Sequence, residues 1–152
     1  MSIRRRLGVI TALVLSVGLA VAAGASANQP RTEFCNGEPT TGAPTTGDDV
    51  LVGTVAAETI DGLAGDDLIC ARGGNDIVRG GAGYDVIYGQ SGRDTLDGGS
   101  EGDLLIGGTG PDTMNGGTGS DQTAGGPGRD TSNGGPGLDN CFSEVLIACE
   151  GD

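Results

Sequence analysis

The chain of 152 residues has no histidine, no lysine and no tryptophan, and only 3 % of it is aromatic. Without histidine there is no Ser-His-Asp or Cys-His catalysis, no His-ligated zinc and no haem held by a proximal imidazole. So few large side chains cannot fill an ordinary core. Eight arginines stand against 21 acidic residues, a net charge of −13. Such a polyanion is repelled by nucleic acid and by anionic membrane surfaces, and it attracts cations. Glycine, at 32 residues, is what the chain has in excess. Glycine with acid is also the composition of disorder, so order has to be argued from pattern.

Residues 1–27 read as a secretory signal peptide. Arg4, Arg5 and Arg6 give the positive start, Leu7 to Ala23 the apolar run, and Ala25-Ser26-Ala27 the small-x-small cleavage pattern. The competing reading is an uncleaved membrane anchor. No second apolar run is long enough to span a bilayer, so no membrane insertion is expected of the remainder. The mature chain is therefore expected to be extracellular, exported from a bacterial cell. Its net charge becomes −16, because the leader carries three arginines and no acid. Four cysteines suit an oxidising destination, and their number alone leaves three pairings open.

From Pro44 to Phe142 the chain divides into eleven nine-residue blocks without an insertion. GGAGYDVIY at 80–88 is the cleanest; GQSGRDTLD at 89–97 and GGTGPDTMN at 107–115 keep its register. The sixth position is always acidic: Asp49, Glu58, Asp67, Asp76, Asp85, Asp94, Asp103, Asp112, Asp121, Asp130 and Asp139. The fourth is glycine except at Ala56 and Glu101. The eighth runs Leu51, Ile60, Ile69, Val78, Ile87, Leu96, Leu105 and Met114, then weakens to Thr123, Ser132 and Cys141. A disordered acidic chain has no cause to hold that register, so disorder is rejected.

The pattern G-G-x-G-x-D-x-U-x resembles the calcium-binding nonapeptide of the RTX (repeats-in-toxin, hemolysin-type) family, whose consensus it follows. The resemblance covers 44–142 and implies an all-β fold, a right-handed parallel β-roll of about eleven repeats. Each block then gives a six-residue turn and a three-residue strand. Two blocks make a coil, and blocks i and i+2 stack. The resemblance further implies Ca²⁺ between stacked turns, held by sixth-position carboxylates and turn carbonyls. The expected ligands are Asp49, Asp67, Asp76, Asp85, Asp94, Asp103, Asp112, Asp121, Asp130 and Asp139. The carbonyls of Gly81, Gly83, Gly99, Gly108, Gly110, Gly117 and Gly119 complete the set. Calcium accepts six to eight oxygens in irregular geometry, whereas Mg²⁺ demands an octahedron and keeps its water. Glu58 and Glu101 weaken their turns.

Positions seven and nine face outward and sort by block parity. Odd blocks give an apolar outer face, including Leu68/Cys70, Val86/Tyr88 and Leu104/Ile106. Even blocks give a polar one with a threonine column: Thr59, Thr95, Thr113 and Thr131, broken by Ile77. An apolar outer face needs a cover. Cys70 lies on it and Cys35 follows Phe34 in the segment 28–43, so a Cys35–Cys70 disulfide is expected to hold that segment there. Cys141–Cys149 then closes the tail 143–152, whose Val145-Leu146-Ile147 can cap the last coil. A protein or surface partner on the apolar face is the rival.

The functional expectation is a secreted calcium-binding structural or interaction protein, not an enzyme. The HExxH motif is absent, the GxSxG string at 98–102 has no histidine to activate its serine, and the short segment 28–43 between leader and repeats leaves no room for a catalytic domain. The alternatives are a surface-docking or ice-binding solenoid, suggested by the threonine column, and a remnant accessory domain of an RTX enzyme. Against ice binding, Asp61, Arg79 and Asp97 in the adjoining row read as a solvated cross-strand ladder.

Overall fold

A computed structural model describes Cys35, residues 43–147 and Cys149. The expected signal peptide at 1–27 and all of the expected covering segment 28–43 except Cys35 and Ala43 lie outside these residues. Twelve strands follow one another along the described residues. They are β1 (Val50–Val52), β2 (Thr59–Ala64), β3 (Leu68–Cys70), β4 (Ile77–Ala82), β5 (Val86–Ser91) and β6 (Thr95–Ser100), then β7 (Leu104–Thr109), β8 (Thr113–Thr118), β9 (Gln122–Ala124), β10 (Thr131–Asn133), β11 (Asn140–Phe142) and β12 (Val145–Ile147). Odd strands form one six-stranded parallel sheet and even strands the other. This is a parallel β-roll, as the repeat implies.

The nine-residue period sets the register. Within the repeats every strand pairs with the one two blocks on, as Ile69 with Ile87 and Leu96 with Met114. The eighth residue of each block, the centre of its triplet, points between the sheets. Ile69, Val78, Ile87, Leu96, Leu105 and Met114 are completely buried there, with Leu51 and Ala71, and Ile60 packs against them. Toward the C-terminus the same inward column turns polar, with Thr123 and Ser132 buried.

Half of the strands are longer than the triplet that the repeat predicts. In β2 and β4–β8 the strand continues past the apolar triplet, and Leu63 pairs with Gly81 there. The bend falls at the second position of the turn, where the backbone takes positive φ while pairing across coils continues. Three second positions with that φ are not glycine: Leu63 (φ 78°), Arg72 (φ 76°) and Gln90 (φ 72°). Glu101 stands at φ 79° in a fourth position. Left-handed backbone costs an L-residue roughly 1–2 kcal/mol.

Both disulfides form as expected, Cys35–Cys70 with Cα atoms 5.3 Å apart and Cys141–Cys149 at 5.6 Å. Cys35 is buried on the outer face of the odd sheet with Cys70 and Tyr88, against the half-buried Leu68, Val86 and Ile106. The Arg72 side-chain Nε–H donates to the Cys35 carbonyl. On the even sheet the ninth positions form an amide ladder. Asn133 donates to Asn115 at 3.1 Å, and Asn115 to Asp97 at 2.9 Å.

The tail departs from the repeat. β12 pairs with β10 with Thr131 opposite Val145, whereas two full blocks would put Cys149 there. The last half-coil is therefore four positions short.

Candidate metal centre

Each turn presents its acidic residue in one way. The backbone N–H of Asp67 donates to Oδ1 of Asp85, that of Asp76 to Asp94, and that of Asp85 to Asp103. The chain continues Asp94 to Asp112, Asp103 to Asp121, Asp112 to Asp130 and Asp121 to Asp139, at 2.8–3.0 Å. Asp49 and Glu58 make the same donation to Asp67 and Asp76. Stacked turns are thus joined through one oxygen of each carboxylate, in two columns.

The second oxygen is left over. Oδ2 of Asp67, Asp76, Asp85, Asp94, Asp103, Asp112, Asp121, Asp130 and Asp139 is buried and has no hydrogen-bond partner. An ionised carboxylate out of water without a partner costs several kcal/mol. Burial raises the carboxyl pKa, and the N–H bond lowers it by less. The balance pushes Asp103 up to about 7 and Asp67 and Asp112 up to about 6, neighbouring carboxylates adding to the rise. Asp76, Asp85, Asp94 and Asp121 are raised for the same leading reason, burial.

Close to the leftover oxygens of Asp67, Asp85, Asp94, Asp103 and Asp112 stands a carbonyl of the next stacked turn. A methyl group on Gly89 would lie 2.6 Å from Asp94 Oδ2 and 2.6 Å from the carbonyl oxygen of Gly107 in the next stacked turn. On Gly107 it would meet Asp112 Oδ2 at 2.6 Å and the Gly125 carbonyl at 2.9 Å. The first glycine is therefore bare because oxygens of two turns converge beside it. The carbonyls of Gly81, Gly99, Gly108 and Gly117 face the second position of the next stacked turn, and those of Gly110 and Gly119 the fourth. Six of the seven expected carbonyls thus project into the inter-turn space. Gly83 sits at the fourth position of its own turn with φ 125°, its N–H donating to the Ser100 carbonyl. The first-position carbonyls of Gly98, Gly107, Gly116 and Gly125, which also face these gaps, were not foreseen from sequence.

The N-terminal turns differ. Oδ2 of Asp49 accepts from the Thr45 N–H at 2.7 Å and from its hydroxyl at 3.0 Å. Glu58 accepts from both groups of Thr54, at 2.8 and 2.7 Å. At the other end the N–H of Asp130 donates to Oε2 of Glu144 at 2.9 Å, an acceptor outside the repeat. That bond and Arg129 nearby hold the exposed Glu144 carboxyl below its usual range.

The donor set is all oxygen. The chain has no histidine, and its four cysteines are bonded to one another. Among the described residues no three acidic side chains converge, so carbonyls must supply most of a cation's shell. Hard oxygens in an adaptable turn suit Ca²⁺ and not a thiophilic or imidazole-seeking metal. A parallel roll whose stacked turns aim single carboxylate oxygens and carbonyls into shared gaps is a divalent-cation-binding β-roll. The model of the RTX calcium-binding nonapeptide repeat family (4 copies) matches residues 45–78, 71–105 and 97–132, and the chain belongs to that family. No curated protein and no solved structure matches it.

Proposed function

We propose that this chain is an exported protein that binds seven Ca²⁺ ions between stacked turns and uses them to hold a structural or interaction module folded outside the cell. The nine orphaned Oδ2 atoms carry this reading. Seven of them, on Asp67, Asp76, Asp85, Asp94, Asp103, Asp112 and Asp121, face a complete repeat turn two blocks on. Asp130 and Asp139 supply the far side of two of these gaps. The Asp49 gap is weaker, because Thr45 already satisfies that carboxylate.

Calcium binds only the assembled turns, since one ion needs groups from blocks that are not adjacent in sequence. Its binding free energy therefore becomes folding free energy. The ion also removes the repulsion along each acidic column. Export fits the Arg4–Ala27 leader pattern and both disulfides. A chain that crosses a membrane unfolded and folds in millimolar calcium gains a directional device. The repeats themselves read as a binding scaffold, because their raised carboxyls are buried between stacked turns. The Cys35 contact on the odd sheet favours an internal cover over a partner on that face. The Asp97–Asn115–Asn133 ladder favours a solvated even sheet over an ice-binding one.

Native mass spectrometry of the oxidised protein in calcium tests the reading. Seven or more bound ions are expected, all released by EDTA. A chain that binds none refutes it.

A further inference from the structure

The shortened last half-coil has kept one chemical feature of the repeat. In a regular turn the residue just before the strand is the acidic sixth position. Before β12 that residue is Glu144, and its Oε2 accepts the Asp130 N–H as each downstream aspartate does for the turn below it. Asp130 Oδ2 lies beside Gly125, the first position of its own turn, as Asp112 Oδ2 lies beside Gly107. Asp130 is completely buried, and this oxygen has no partner. In the turns of Asp67, Asp85, Asp94, Asp103 and Asp112 the corresponding oxygen stands near a carbonyl of the following turn, Gly125 in the case of Asp112. Gly126 has a positive φ, 90°, like the second-position glycines whose carbonyls face the next gap. β12 is fixed over this gap by its pairing with β10 and by the Cys141–Cys149 disulfide. Asp139, which ends the other column, has an orphaned oxygen too, but no acid bonds its N–H among the described residues.

We propose that Asp130 and Glu144, with carbonyls of the 125–130 turn, hold a further Ca²⁺ at the C-terminal end of the even column. Asp130 lies within the repeat and the matched residues, whereas Glu144 lies outside both. It rests on the calcium reading of the inter-turn gaps. A divalent ion there neutralises both carboxylates, and it ties the tail strand to the roll. Glutamate serves because its extra methylene makes up reach lost with the missing turn residues.

Native mass spectrometry in calcium chloride compares the wild type with Glu144→Gln, which keeps an acceptor for the Asp130 N–H. The wild type should carry one ion more than the variant, with the remaining ions bound over an unchanged calcium range. Equal counts overturn the proposal. Should the variant fail to fold, a crystal of the wild type grown in calcium decides through anomalous density. A peak between Asp130 and Glu144 supports the site. Peaks in the inter-turn gaps with none at the tail refute this site alone, whereas no peaks anywhere refute the calcium reading itself.

Discussion

Acid should do part of calcium's work. In the metal-free chain the sixth-position aspartates bind protons more tightly folded than unfolded. Asp103 moves from 3.8 to about 7, and Asp67 and Asp112 to about 6, because burial disfavours their charge. A raised folded pKa means that the native state holds more protons between these values. The metal-free fold is therefore most stable below about pH 4 and loses stability as pH rises through 7. Asp103 is only 3 % exposed, so solvent screens it little. One pKa unit is about 1.4 kcal/mol, so Asp103 alone changes stability by about 4 kcal/mol, close to a thousandfold in the folding constant. The aspartates of one column raise each other, so their effects do not simply add. The assay is far-UV circular dichroism of EDTA-treated protein, titrated with urea at pH 4.5 and pH 7.5. Strand signal and urea midpoint should both be higher at pH 4.5. With saturating calcium the order reverses, since protons compete with the metal for the same oxygens. Equal midpoints without calcium, or a higher one at pH 7.5, would refute the electrostatic argument.

Three substitutions probe separate parts of the account. Glu101→Gly relieves a positive φ and removes a charge that disfavours the ionised Asp85. After allowing for glycine's unfolded-state entropy, it should stabilise the calcium-loaded protein by about 0.5–1 kcal/mol, raising Tm by several degrees in calorimetry. Thr123→Val removes a buried hydroxyl without a partner and should add about 1–2 kcal/mol in urea unfolding. Gly89→Ala places a methyl group between Asp94 Oδ2 and the Gly107 carbonyl, at a backbone conformation alanine tolerates. It should cost one calcium ion by native mass spectrometry, and an unchanged count would show that this gap holds none.

The fold was legible because one nine-residue rule fixes both the chemistry and the register. Inward residues such as Ile87 and Leu105, the Asp85/Asp103 type of pair and the apolar face that Cys35 covers all follow from block parity. The rule gives less where the chain breaks it. Thr45 and Thr54 satisfy the first two acids, and among the described residues no earlier turn donates an N–H to either carboxylate, which is a property of the first coil of a stack. Glu144 takes the sixth-position role at an offset of 14 from Asp130, which a strict two-block period cannot find. The pairing through the second turn position, visible at Leu63 and Gln90, depends on backbone φ rather than residue type. Side-chain spacing therefore carries no sign of it.

Small-angle scattering with circular dichroism on the same sample, first in millimolar CaCl₂ and then in excess EDTA at pH 7.5, tests the central claim most directly. The account predicts a compact, strand-rich particle in calcium that expands and loses its strand signal on chelation, and regains both when calcium returns. An equally compact, equally strand-rich particle in EDTA would contradict it.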